Sequence, residues 1–315
     1  MRPIATRVRP LYLASIALAA TGLASRPAAA QPAVVASIMP VHALAAGVME
    51  GVGAPQIIVR GAASPHSYAL KPSEARLLDR AMIVFWIGPI YETFLDKKLK
   101  SLASKATVVA LMRAPGVTLL GTREGGVWED DDHGHAKDAK HAENEMDGHL
   151  FLDPANAKAM TRAMAEALAN ADTANAARYE ENALRVLARI DALDGELRAI
   201  LATARKKPYF VFHDAYQYFE KRYGLEAAGS ITVTPDRRPG ARRLAALREK
   251  VASAEAVCVF SEPQFEPSLV KTVVEGTKAK TGILDPLGVD LTPGPDAYFT
   301  MMRNLAKAFA ACLAG

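Results

Sequence analysis

The sequence predicts an α/β protein of two open parallel-sheet lobes joined by a single long rigid helix. Short, uniformly apolar runs alternate with helical patterns in the first half, as buried parallel strands and their crossover helices do. The same alternation restarts after residue 206. Between the two lies a one-sided apolar stripe that is long for a helix inside one lobe.

Each element has a local reason. Residues 33–38 (AVVASI) suit a strand covered on both faces, 41–50 read as helix, and 56–59 (QIIV) as a second strand. Ser73 is a predicted N-cap for a helix over 74–80, because its hydroxyl can accept from an unpaired first-turn amide. Residues 82–87 (MIVFWI) form a third strand stopped by Gly88-Pro89; 91–103 are helical and 107–111 a fourth strand. Residues 121–148 break the alternation with many charges and no apolar period, and read as a mobile surface loop. Helix resumes over 155–170. A longer one starts after Asp172-Thr173 and runs to about 204, with Val186, Ile190, Leu193, Leu197 and Ile200 on one face. At 1.5 Å rise it is roughly 45 Å long, a length suited to a stiff strut between lobes. In the second half, strands are expected at 209–212, 230–233, 256–260 and 282–284, with a closing helix at 298–313. The resulting division is 31–154 as one lobe, 155–206 as a helical segment with the linking helix, and 207–315 as the other lobe.

Residues 1–30 have the features of an export signal: Arg2, Arg7 and Arg9, an apolar stretch over 11–23, and Ala28-Ala29-Ala30 ahead of Gln31. The apolar stretch is short of the roughly 20 residues of a membrane span. No cysteine follows the expected cleavage near Ala30, so no lipid anchor is expected on the mature exported chain. Removing residues 1–30 leaves 34 Lys+Arg against 34 Asp+Glu. A neutral mature chain gives no reason to expect nucleic acid or an anionic membrane surface as partner. Two cysteines in an exported chain, Cys258 and Cys312, predict one disulfide, with two buried thiols as the alternative.

Four of the seven histidines, His133, His135, His141 and His149, fall within 128–154 (WEDDDHGHAKDAKHAENEMDGHLFLDP) among many acids. Imidazole and carboxylate are the usual ligands of zinc and its first-row neighbours. Ligands of open α/β sheets sit beyond the carboxyl ends of strands. His66 follows the second strand, His213 ends YFVF, Asp285 ends GIL, and His149 leads into Leu150-Phe151-Leu152. No local metal motif such as H-E-x-x-H occurs, so a site built from these four must be assembled across the cleft. Each also has a bland reading: a hydrogen-bonded loop histidine, a buried His213-Asp214 pair, a turn cap at Asp285. His42 reads as structural or surface.

Five blocks, HSYALKPSEARLLDRAMIVFWIGPIYETFL at 66–95, DGHLFLDPANAK at 147–158, PYFVFHDAYQYFEKRYGL at 208–225, CVFSEPQF at 258–265 and LDPLG at 284–288, carry a resemblance over the whole mature chain. The chain resembles the zinc-binding periplasmic solute-binding components of ABC-type metal importers. That group also contains manganese-binding relatives and adhesin-like lipoproteins. The resemblance implies a metal in the cleft, held by His66, His149 and His213 with Asp285 or water in the fourth position. It implies capture of periplasmic Zn²⁺ without catalysis, and delivery to an ABC permease and its ATPase at the cytoplasmic membrane. A periplasmic zinc chaperone is a further candidate partner, and the chain is expected to be a monomer. Manganese-type relatives usually have a carboxylate where this chain has His213; three imidazoles suit zinc better. Some zinc-type members carry an acid just before the first histidine, where this chain has Pro65. The loop residues His133, His135 and His141, with the acids from Asp130 to Asp147, read as an auxiliary weak metal sponge. A rival of another class is a secreted zinc hydrolase, with Glu262 as its base.

Overall fold

Among the described residues, 32–123, 146–204, 206–232 and 239–314, eight strands make two four-stranded parallel sheets. This computed structural model leaves the expected export segment and the loop residues His133, His135 and His141 outside the described residues. The first sheet contains β1 (Val34–Ala36), which leads to α1 (Met39–Val48) and β2 (Gln56–Ile57). It continues through α2 (Pro72–Asp79), β3 (Ile83–Trp86), α3 (Thr93–Leu102) and β4 (Thr107–Ala110). Its strand order is β2-β1-β3-β4. After α4 (Pro154–Ala171) and α5 (Ala176–Ile200) the second sheet begins. It comprises β5 (Tyr209–His213), α6 (Gln217–Tyr223), β6 (Gly229–Thr232) and α7 (Ala241–Ser253). It ends with β7 (Cys258–Ser261), α8 (Ser268–Val274), β8 (Lys280–Ile283) and α9 (Ala297–Leu313). Its order, β6-β5-β7-β8, repeats the first. In each sheet the chain leaves the first strand toward one neighbour and returns on the other side, so the switch point lies at β1 and β5, where α/β sheets place ligands.

The linking helix is shorter than its stripe suggested. A 3₁₀ turn at Thr173–Asn175 precedes α5, whose 25 residues span about 37 Å. Its buried face, Tyr179, Asn182, Ala183, Val186, Ile190, Leu193 and Leu197, keeps the expected three-four spacing; Ile200 is only partly buried. The face packs against α1, α4 and α9. A Cβ on Gly47 of α1 would lie 2.7 Å from Val186 Cγ2, so this helix crossing needs glycine. Asn182 donates to the carbonyls of Val48 and Glu50, both at 2.8 Å, closing the open end of α1. One apolar cluster is continuous from β1 and β3 through α5 to β5 and α9. A second lies on the far face of the C-terminal sheet, under α7 and α8.

Ser73 is not the cap of α2. The helix begins two residues earlier, at Pro72, whose missing N–H is no loss at that position, and the Glu74 carboxylate accepts from the Lys71 amide at 2.8 Å. Cys258 and Cys312 are joined as a disulfide that ties β7 to α9 across 54 residues. Closing a loop of that length contributes about 4 kcal/mol by restricting the unfolded chain. Cys258→Ser with Cys312→Ser is expected to lower the free energy of unfolding by about that amount in urea titration. An unchanged midpoint would show that the bridge constrains nothing.

Candidate metal centre

On β5, Tyr209 and Val211 face the continuous core while Phe210 and Phe212 face the second cluster. The period of two therefore turns the last residue, His213, to the interlobe side. His149 immediately precedes the 3₁₀ turn Leu150–Leu152, whose three side chains are fully buried and fix its position. Its backbone lies against Tyr91: a Cβ on Gly148 would come 2.8 Å from the Tyr91 Cβ, so glycine is required there. His66 comes from the loop between β2 and α2 and is partly exposed, forming the rim.

These three converge. Ring centroids are 5.3 Å apart for His66 and His149, 5.6 Å for His66 and His213, and 5.1 Å for His149 and His213. One ligand atom from each lies within 4.8 Å of the others. The Nε2 atoms of His149 and His213 are 3.2 Å apart. Behind them stand two carboxylates. Asp147 Oδ1 lies 2.7 Å from His149 Nδ1 and accepts the His149 amide at 2.9 Å. Glu262 Oε1 lies 2.7 Å from His213 Nδ1. A carboxylate at Nδ1 fixes the proton there and turns the Nε2 lone pair outward, the arrangement of carboxylate–histidine–metal sites. Tyr91 meets His66 and His149 edge-on at 4.9 and 5.0 Å, and Phe265 meets His213 at 5.8 Å. The pocket is thus walled by aromatic rings.

The electrostatics follow from burial. Burial, then the two neighbouring imidazoles, hold His66 well below the usual imidazole range. Burial and His213 do the same to His149. Burial lowers His213 too, but the Glu262 carboxylate overrides it and the net shift is upward. Burial pushes Asp147 up to about 7, against the pull of the His149 amide.

Three residues sit differently from the sequence reading. Asp147 is no part of a flexible sponge; it is 5 % exposed and holds His149. Its place two residues before the histidine in DGHLFLDP was the available signal. Glu262 is not presented as a free base: its Oε1 is occupied by His213 and it is 2 % exposed. Asp285 is not gathered with the imidazoles. It accepts from the amides of Leu287, Gly288 and Val289 at 3.0, 2.9 and 2.7 Å and from Gln264 Nε2 at 3.3 Å, as a turn cap does. His42 is buried, with Nε2 3.0 Å from the Pro55 carbonyl oxygen.

The Tyr91 wall is anchored by its neighbour. Glu92 is fully buried and accepts from Ser37 Oγ, from the Ile87 amide at 3.2 Å and from the Gly88 amide at 3.0 Å. Burial nevertheless pushes its carboxyl up from 4.5 to about 7. A raised folded-state value gives stability that is full below the unfolded value and is lost as pH rises through the folded one. Between about pH 5 and pH 8 the parent should lose about 3 kcal/mol of stability relative to Glu92→Gln. Parallel pH–stability curves for the two proteins would refute a buried titrating Glu92.

Residues 34–312 match the model of the family described as zinc-uptake complex component A, periplasmic. The chain is 47% identical over 327 residues to the high-affinity zinc uptake system protein ZnuA of Brucella abortus, covering 96% of this chain and 98% of that protein. It is 36% identical to the protein of the same name from Yersinia pestis, covering 90% and 92%. A crystal structure of ZnuA superposes with a TM-score of 0.73 at 25% identity, covering 89% of this chain and 98% of that one.

Proposed function

Because the chain belongs to the family of periplasmic component A proteins of zinc-uptake complexes, we propose that it captures Zn²⁺ in the periplasm and delivers it to an ABC-type permease with its ATPase. His66, His149 and His213 hold the ion. The observation that carries this reading is the 3.2 Å separation of the His149 and His213 Nε2 atoms, with a carboxylate at each Nδ1. Two neutral imidazoles in that tautomer aim lone pairs at each other, and a cation between them turns repulsion into two bonds. Zinc–nitrogen bonds of about 2.0–2.1 Å at a tetrahedral angle put nitrogens about 3.3 Å apart. A third imidazole at the rim, and water or Asp285 in the fourth position, complete the set; Asp285 is held in its turn by the amides of Leu287, Gly288 and Val289.

Three nitrogen donors favour zinc over manganese, whose preference is for oxygen. The family is one of solute-binding transport components, and Glu262 acts here by orienting His213. The export segment is removed near Ala30, and the mature chain works as a monomer that either meets zinc directly or receives it from a periplasmic chaperone. Release does not need a wide swing of the lobes, which would break the apolar cluster they share. Movement of the loops bearing His66 and His149 is enough. The test is competition titration of the purified mature chain with Zn²⁺ and Mn²⁺. Tight zinc binding that excess manganese does not displace supports the reading; preference for manganese contradicts it.

A further inference from the structure

The two chain segments that flank residues 124–145 are tied to each other and to the C-terminal lobe. Gly121 and Met146 form an antiparallel bridge, and the Asp147 amide donates to Leu120 O at 2.8 Å. Helix α6 grips both. Tyr218 Oη accepts from the Leu120 amide at 2.9 Å and donates to Asp147 O at 2.8 Å; Gln217 Nε2 donates to Gly121 O at 2.9 Å. Arg123 completes the grip. Its Nε donates to Asp214 Oδ1 and Oδ2 at 3.0 and 2.8 Å, Nη2 also meets Asp214, and Nη1 donates to Glu220 Oε2 at 2.7 Å. Glu220 is 3 % exposed, and its other oxygen accepts from Tyr209 Oη at 2.8 Å.

The consequence lies in what these groups touch next. Asp147 is the carboxylate that orients His149, and Asp214 directly follows His213 in the chain. We infer that Arg123 is a positioning residue for zinc: by joining its own segment to Asp214 and Glu220, it clamps the Asp147–His149 strand of chain to the end of β5 and slows escape of the ion. This rests on the reading that His149 and His213 hold the metal. No other group named in this network is cationic, so removing Arg123 leaves two carboxylates, one of them deeply buried, facing each other without it. Breaking a buried pair from one side in this way is costly. Relief comes by moving the Leu120–Arg123 and Met146–Asp147 segments away from α6, which draws His149 from His213. Lysine restores the charge but not the planar fork that binds Asp214 and Glu220 together.

Zinc dissociation from the loaded mature chain, started by excess chelator and followed by stopped flow, tests the clamp. Arg123→Ala is expected to speed dissociation by about tenfold or more, the lower range for outer-shell partners of a metal site. Arg123→Lys should lie between Arg123→Ala and the parent. Tyr218→Phe, which removes the hydroxyl joining Leu120 to Asp147, should shift the rate in the same direction and carries the test if Arg123→Ala does not fold. Association rates should change little, since the clamp acts after capture. A lower unfolding temperature with dissociation rates within about twofold of the parent in these variants overturns the inference. His213→Ala, measured alongside, separates the two claims: if it retains zinc as the parent does, the metal reading fails, whatever Arg123 does.

Discussion

Replacing His213 by alanine is expected to lower zinc affinity on the order of 100- to 1,000-fold. Four-ligand zinc sites bind with apparent free energies of about 10–16 kcal/mol, or about 2.5–4 kcal/mol per ligand, and each 1.4 kcal/mol is a factor of ten. His213 is the most firmly placed of the three rings. It is 4 % exposed, ends a central strand, and has Glu262 at its Nδ1. Water cannot easily replace it in that position with the same bond. The substitution also strands the buried Glu262 carboxylate, at a cost of about 1–3 kcal/mol in stability. Affinity is therefore read by chelator competition well below the unfolding temperature. His66→Ala should have the smaller effect of the two, because its rim position admits water. An His213→Ala protein that binds zinc as tightly as the parent would remove the ring from the site.

Asp147→Asn is expected to weaken zinc binding by about 10- to 100-fold while making the metal-free protein more stable. The first effect is typical of losing the carboxylate behind a metal-bound imidazole. An amide at this place can still accept from Nδ1, but with less negative charge, and its flipped form offers a donor instead. The second effect comes from burial. Asp147 is 5 % exposed, its Oδ2 has no hydrogen-bond partner among the described residues, and its carboxyl is pushed up to about 7. Above that value the folded protein carries a poorly compensated charge, and asparagine removes it. Thermal melts of the apo proteins at about pH 8 should put the variant above the parent, by a margin that narrows in saturating zinc. Glu262→Gln should weaken zinc in the same way. A variant that binds zinc normally and loses turnover of an ester or phosphate would instead make Glu262 a catalytic base.

The strand runs were legible because each is short, apolar and bounded by a turn residue; seven of the eight observed strands lie within, or within one residue of, the stretches read from sequence. β8 starts two residues earlier than read, because Lys280 and Thr281 pair at an exposed edge where no apolar signal is needed. Helices α6, α7 and α8 carry little signal in the sequence. Two are seven residues long, and α7 buries only Leu247 and Val251 beneath a charged face. His213 was legible as a polar residue closing an apolar strand. His66 and His149 depended on resemblance, since neither lies in a periodic element. What the sequence concealed were the groups behind the ligands. Asp147 sits at the end of a charged run that favours a solvated reading, and the packing of Gly148 on Tyr91 together with the bonds to Leu120 and Tyr218 draws it inward. Arg123 stands 91 residues from Asp214, a separation at which no pattern in the chain marks a partner. Asp285 follows a strand and reads as a ligand or as a turn cap; in the structure it accepts from the three amides that follow it in the same turn.

Anomalous diffraction at the zinc edge from crystals of the loaded mature chain tests the central claim most directly. One strong peak within about 2.0–2.1 Å of a ring nitrogen of each of His66, His149 and His213 is the expected result. A dominant peak bound elsewhere, with those three rings empty of metal, would contradict it.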